Sequence, residues 1–330
     1  MKFDNNYSDL PLFRNHLINL AKTNVSEKIS ASDLGLTLVH EHIFNKFPIN
    51  RQEESLSFTK KELEKLQKYG VETIIDLTPY TNLNIYEEII NSSPVQIICC
   101  IGFYLPKYIK ASDKSLSQEL LITQLSKKIE KGIGKLKIKP GILKIAGNHN
   151  ILTSLEEKIY SVIGSLQNKY SLPIASHSPK GSYEQFNVLV KNGANPKKIF
   201  FAHLDQGFLG KKFNLVDRQR EIDFLLKQGS FIQFSEFGNT TEFKTQRLLI
   251  MKKILLDICN KGFINQILIS SDSNWRWKRG KICLKNSYKR GIPNSFEYTF
   301  KIIIPYLRSI GFKENQIDEI LIENPRLLFS

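Results

Sequence analysis

Eight short apolar runs rich in β-branched residues recur along the chain, at 35–42, 72–77, 95–102, 141–145, 172–177, 198–203, 230–234 and 266–272. Between them, 58–69, 117–131, 155–169, 183–192, 215–228 and 245–260 carry spaced apolar residues among many charges, the pattern of amphipathic helices. Gly70, Gly193, Gly229 and Gly262 stand just past four of these segments, where a left-handed cap ends a helix. Strands that alternate with helices predict a parallel sheet, and eight is the number that closes a barrel. The structural rival is an open doubly wound sheet, but no Gly-X-Gly-X-X-Gly follows the first run. The expectation is an α/β protein, a single (β/α)8 TIM barrel, for which 330 residues is an ordinary size.

Closure matters because the C-terminal ends of all eight strands then ring one pocket. His40 and His42 lie two apart at the end of the first run, so on a strand they share a face. A lone His-X-His is commonly a pair of satisfied histidines. Here His177 ends the fifth run, His203 the sixth and Asp272 the eighth. Imidazoles and a carboxylate at repeated strand ends are what a hydrolytic metal centre needs. The fourth run, Ile142-Leu143-Lys144-Ile145, holds one lysine in apolar surroundings. A buried lysine is costly unless paired or chemically altered, and its alternative is to snorkel to the rim.

Composition removes several other function classes. No stretch approaches the roughly 20 apolar residues of a membrane span, and residues 1–9 carry two aspartates and no apolar core of a secretory signal. Cys99, Cys100, Cys259 and Cys283 form no Cys-X-X-Cys pair, and the adjacent two sit in an apolar run. A reduced, cytoplasmic protein without a thiolate metal site is expected. The net charge of +15 comes mostly from scattered lysine, with no zinc finger, basic heptad or RNP-like strand beside it. Neither nucleic acid nor a membrane is therefore expected as a partner. A basic mouth that draws an anionic small molecule is a better use of the charge.

His-X-His on strand one, lysine on strand four, histidines on strands five and six and aspartate on strand eight together resemble the phosphotriesterase-like lactonases of the amidohydrolase superfamily. Local sequences are similar too, including Ile29-Ser30-Ala31-Ser32-Asp33-Leu34-Gly35, Gly141-Ile142-Leu143-Lys144, Ser176-His177-Ser178 and Glu323-Asn324-Pro325-Arg326. The resemblance runs from about Ile29 to the end. It implies a single-domain hydrolase barrel, 29–330, with a motif-free N-terminal extension, 1–28, packed on it.

The resemblance further implies a binuclear centre at the C-terminal face of the strands. His40, His42 and Asp272 would hold one divalent ion and His177 and His203 the other, with a carboxylated Lys144 shared. Zinc suits such ligands first, and manganese, cobalt or iron also fit. Attack by a hydroxide held between the metals would open a lactone, with Asp272 as proton shuttle. Tyr104 matches a tyrosine that lactonases of the family place beside the metals; the alternative is an ordinary packed aromatic. Phosphotriester and cyclic-amide hydrolysis are the alternative reactions.

The segment after Asp272, Ser273-Asn274-Trp275-Arg276-Trp277-Lys278-Arg279, is cationic and aromatic. Arg276 and Arg279 could grip a phosphate or carboxylate, the indoles could cover a sugar-like body, and Lys211 and Lys212 form a second basic pair after strand six. An anionic lactone, such as a phosphorylated sugar lactone, is the expected substrate. Relatives suggest a homodimer. Glu236, after strand seven, has no role that the sequence assigns.

Overall fold

A computed structural model of the chain describes residues 30–43, 51–79, 83–206, 208, 214–237, 244–278, 281–284 and 295–330. The expected 1–28 extension lies outside these residues. Eight parallel strands follow one another as neighbours: β1 (Leu36–Glu41), β2 (Val71–Asp76), β3 (Gln96–Gly102), β4 (Ile142–Ala146), β5 (Ile174–His177), β6 (Ile199–Ala202), β7 (Phe231–Phe234) and β8 (Ile267–Ile269). The ring closes between the last strand and the first. Asp272 N donates to His40 O at 3.1 Å, His42 N to Ser273 O at 3.0 Å, and His40 N to Ser270 Oγ at 3.1 Å. The TIM barrel read from the alternation is the observed fold.

The helices outside it are α1 (Gln52–Glu64), α2 (Leu83–Ser92), α3 (Ala111–Ser115), α4 (Gln118–Lys131), α5 (Ser154–Tyr170), α6 (Ser182–Lys191), α7 (Leu215–Lys227) and α8 (Lys244–Asn260). Their starts have chemical causes. Ser117 caps α4 by accepting from Leu120 N, and Thr153 and Glu156 close a reciprocal capping box on α5. Three short helices complete the chain: α9 (Ile304–Ser309), α10 (Glu314–Asp318) and α11 (Asn324–Phe329). No described helix is long and apolar enough to cross a membrane.

One buried cluster draws a side chain from every strand: Val39, Ile75, Ile98, Ile142, Ala175, Phe200, Phe231 and Leu268. A cluster fed by all eight strands is the barrel interior, and Leu328 of α11 joins it from the far end. The barrel is thus a packed core, not a pore, and its chemistry is confined to the upper rim. The larger cluster fills the space between strands and helices, with Ile74, Leu143 and Ile232 facing Leu63, Ile163 and Ile254.

Several elements differ from expectation. Helix α1 begins at Gln52, six residues before the apolar spacing starts, and α2 was not read at all. The segment after Asp272 is an antiparallel ribbon, β9 (Trp275–Lys278) paired with β10 (Lys281–Leu284). Its indoles do not cover the pocket. Trp275 is wholly buried between the rings of Phe58 and Phe296, at 5.3 and 4.8 Å. Trp277 Nε1 donates to Ser55 Oγ of α1 at 3.0 Å. Burial of two large aromatic surfaces pins the ribbon to the barrel wall.

Candidate metal centre

The predicted histidines and Asp272 sit at the C-terminal ends of their strands or just beyond, and Lys144 lies mid-strand in β4. In β1 the register slips between Leu38, paired with Ile74, and Glu41, paired with Asp76, so one extra residue is inserted. A bulge re-aims side chains where it occurs, and here it falls at His40. Lys144 is in β4, level with Gly102 of β3. A Cβ on Gly102 would come within 2.0 Å of the Lys144 carbonyl oxygen, and the φ there is +138°. Only glycine lets β3 approach the lysine so closely.

Three imidazoles have their outer nitrogen tied down. His40 Nδ1 lies 3.2 Å from Gln233 Oε1, His42 Nδ1 3.0 Å from Thr78 Oγ1, and His203 Nδ1 2.9 Å from Ser235 Oγ. Gln233 donates its amide N–H to Phe234 O at 2.9 Å, so its oxygen faces His40 and accepts from Nδ1. The His40 lone pair is then on Nε2, which is buried and has no hydrogen-bond partner. Burial, and next the charge of Lys144, hold His40 well below the ordinary imidazole value, so it is neutral at pH 7 and able to ligate. The rings form a chain, with centroids 5.5 Å apart for His42 and His40, 4.9 Å for His40 and His203, and 4.5 Å for His203 and His177.

Asp272 lies beyond the end of β8. Its Oδ1 is 3.2 Å from His42 Nε2 and 3.7 Å from His40 Nε2, the latter too long for a hydrogen bond. Ligand atoms of His40, His203 and Asp272 all fall within 4.8 Å of one another. Asp272 and His203 take left-handed backbone conformations, φ +48° and +68°, which cost roughly 1–3 kcal/mol each away from glycine. Strain at two such neighbours concentrates at this rim.

Lys144 is 1% exposed, and its Nζ has no hydrogen-bond partner. Burial lowers it from 10.5 to about 8, against the opposing pull of Cys100 and Asp272. The lysine therefore does not snorkel. Cys99 of β3 is pushed up to about 12 by burial and supplies no thiolate at pH 7.

These groups line a cavity of about 260 Å³ together with Tyr104, Gln206, Glu236 and Asn274. The Tyr104 ring stands edge-on to His177 at 5.3 Å and stacks on Tyr108 at 5.4 Å. Glu236 reaches the cavity from a fixed backbone. Its N–H donates to Asp205 Oδ2 at 2.5 Å and its carbonyl accepts from Arg247 Nη1 at 3.3 Å. Burial, then the Glu236 charge, raise Asp205 to about 7. Gln206 and Asn274 were not singled out from sequence, although each follows a predicted ligand by two or three residues. Lys211, Lys212, Arg279 and the Arg276 side chain lie outside the described residues; the Arg276 backbone is in β9.

The donor set fits divalent cations. Neutral imidazole, carboxylate and a buried amine converge, and two of their atoms, His40 Nε2 and Lys144 Nζ, are buried polar atoms without partners. Such orphans are rare in a folded protein unless an ion or ligand completes them.

The chain is similar over its length to several known proteins. It is 25% identical over 324 residues to an aryldialkylphosphatase of Saccharolobus solfataricus, with 92% of this chain and 98% of that protein covered. It is 23% identical over 321 residues to an N-acetyltaurine hydrolase of Danio rerio, covering 89% and 86%. A solved variant of a PTE-like lactonase from Deinococcus radiodurans shares the fold with a TM-score of 0.77 at 23% identity, covering 93% of this chain and 99% of that one. The model of the Phosphotriesterase family matches residues 21–329. With that match across the barrel and its rim, the chain belongs to the Phosphotriesterase family of metal-dependent hydrolases.

Proposed function

We propose that this protein is a two-metal lactonase acting on an anionic lactone, with a phosphorylated sugar lactone as the favoured substrate. The observation that carries the reading is the convergence of Lys144 Nζ, buried and unpartnered, with four imidazoles and Asp272 on one cavity that also holds Tyr104. His40, His42 and Asp272 would hold one ion, and His177 and His203 the other. Lys144 would be shared as a carbamate, which turns an unpaired buried amine into an anion between cations. Bound there, such ions act as Lewis acids and lower the pKa of water to near neutrality.

The chain's own groups then divide the remaining work. Gln233, Thr78 and Ser235 hold three imidazoles in one orientation, as partners behind ligating histidines do. Asp272 accepts a proton at a carboxylate oxygen and returns it to the leaving oxygen, within reach of His42 at 3.2 Å. Tyr104, edge-on to His177, donates its phenol proton in a hydrogen bond to the substrate carbonyl or the departing alkoxide. The cavity lining beyond the ligands offers a carboxylate, two amides and a phenol. Arg276, Arg279, Lys211 and Lys212 are the candidate cations for a substrate phosphate.

The aryldialkylphosphatase and N-acetyltaurine hydrolase among its relatives mark phosphotriester and amide hydrolysis as the competing reactions on the same centre. A hydrolysis screen separates them. Phosphorylated sugar lactones should give the highest kcat/KM, neutral lactones less, and phosphotriesters and N-acyl amides little. Faster turnover of an amide or a phosphotriester would overturn the lactonase reading.

A further inference from the structure

Glu41 lies between the two histidines of β1, yet it does not line the cavity. Its carboxylate is wholly buried and accepts a dense set of hydrogen bonds, all from the segment that follows β8. Oε1 takes Ser270 Oγ at 2.6 Å, Ser271 N at 3.0 Å and Ser271 Oγ at 2.9 Å. Oε2 takes Ser271 Oγ at 2.8 Å and Ser273 N at 2.7 Å. The two amides are those immediately before and after Asp272. One carboxylate therefore grips the N–H groups of the two residues on either side of the predicted ligand, while Asp272 N itself goes to His40 O.

That grip falls where the backbone needs it. Asp272 has a φ of +48°, a conformation that L residues rarely adopt, and β8 has already ended at Ile269. The flanking backbone bonds, Asp272 N to His40 O and His42 N to Ser273 O, tie the same turn to the two histidines. Five hydrogen bonds converge on this one carboxyl group, so losing one of its acceptor oxygens should release the turn before it unfolds the barrel.

We infer that Glu41 is the positioning residue for Asp272: it clamps the left-handed turn after β8 and so sets the Asp272 carboxylate against His40 and His42. Glu41 touches neither substrate nor metal and acts only through Asp272. The inference rests on the metal-centre reading, because the geometry it protects is that of a ligand. A glutamine cannot replace the carboxylate. It keeps one acceptor oxygen, and its NH2 must then face either the Ser271 or the Ser273 amide, donor against donor.

The test is zinc affinity by chelator competition in four full-length proteins: wild type, Glu41→Gln, Asp272→Ala and the double variant, with circular dichroism as a check of fold. Loss of an outer partner of a metal ligand typically costs 10- to 100-fold in affinity, and Glu41→Gln should fall by about that factor. In the Asp272→Ala background the same change should alter affinity less than about twofold, because coupled sites are not additive. A general structural role would weaken both backgrounds alike, and that result would overturn the inference. Wild-type affinity in Glu41→Gln would overturn it too while leaving the metal centre intact. A wild-type protein that binds no zinc would instead sink the metal-centre reading, and this inference with it. If Glu41→Gln does not fold, Ser271→Ala serves the same cycle, since it removes one hydroxyl that bonds both carboxylate oxygens. A loss smaller than that of Glu41→Gln and confined to proteins that retain Asp272 is expected there, and an equal loss in both backgrounds refutes the clamp.

Discussion

Replacing Lys144 with methionine should stabilise the metal-free protein, the opposite of what a substitution in a packed strand normally does. Burial takes Lys144 from 10.5 in the unfolded chain to about 8 in the barrel. At about 1.4 kcal/mol per tenfold change in proton affinity, an ammonium held there costs the folded apo protein roughly 3 kcal/mol. Methionine has a similar length and volume, adapts its shape and carries no charge, so repacking should cost little. The sign with pH follows from linkage. The folded value lies below the unfolded one, so the unfolded chain keeps the proton longer, and wild-type stability rises between about pH 8 and 10.5. Urea unfolding with a chelator present should therefore find Lys144→Met more stable by about 3 kcal/mol at pH 7, with the gap closing by about pH 10. Adding divalent metal and bicarbonate should reverse the order, because only wild type gains the ligand-linked term, about 2.7 kcal/mol at a hundred times the dissociation constant. A variant less stable than wild type at pH 7 without metal, or a gap that ignores pH, would show that the lysine is already satisfied.

Four other substitutions probe the proposed chemistry. Asp272→Asn should lower kcat by about a hundredfold or more, since it cannot shuttle a proton, and single-turnover rates measure this; a rate near wild type removes Asp272 from proton transfer. Tyr104→Phe should weaken lactone hydrolysis more than phosphotriester hydrolysis in parallel assays, whereas equal losses leave it as packing beside His177 and Tyr108. Arg276→Ala and Arg279→Ala should each lower kcat/KM for a phosphorylated lactone by roughly ten- to a hundredfold, the equivalent of a charge-assisted hydrogen bond. The same two variants should leave a neutral lactone of equal ring size unchanged, and indifference to the phosphate would refute the anion contact.

Much of the fold was legible because its signal is local. A run such as Ile199-Phe200-Phe201-Ala202 can be read as a buried strand from its own residues, and Ser117 or Thr153 announces a helix start. The elements that escaped lack such a signal or depend on distant contacts. Gln52 to Ser57 is polar but for Leu56, so α1 gains its first turns without the repeated apolar spacing that marks the rest. Strand β8 stops at Ile269 rather than Asp272, and past it Ser271 N turns to Glu41 instead of a neighbouring strand. The ribbon β9–β10 was foreshadowed by the alternation Trp275-Arg276-Trp277-Lys278, a period of two that also reads as a cationic loop.

The same distinction holds at the site. The ligand pattern could be read because each residue ends a recognisable strand. The groups behind it could not. Gln233 meets His40 across 193 positions, and Thr78 and Ser235 are single hydroxyls in loops with no motif around them. Glu41 sits in plain view inside the His-X-His pair, but its partners are about 230 residues away and appear only when the barrel closes.

Elemental analysis of the purified protein, run beside Lys144→Ala, tests the central claim most directly. The account predicts about two divalent ions per chain, as a bridged two-metal site requires, with both metal and hydrolytic activity lost in the variant. Fewer than about one ion per wild-type chain after metal supplementation, or a full metal complement in Lys144→Ala, would contradict it.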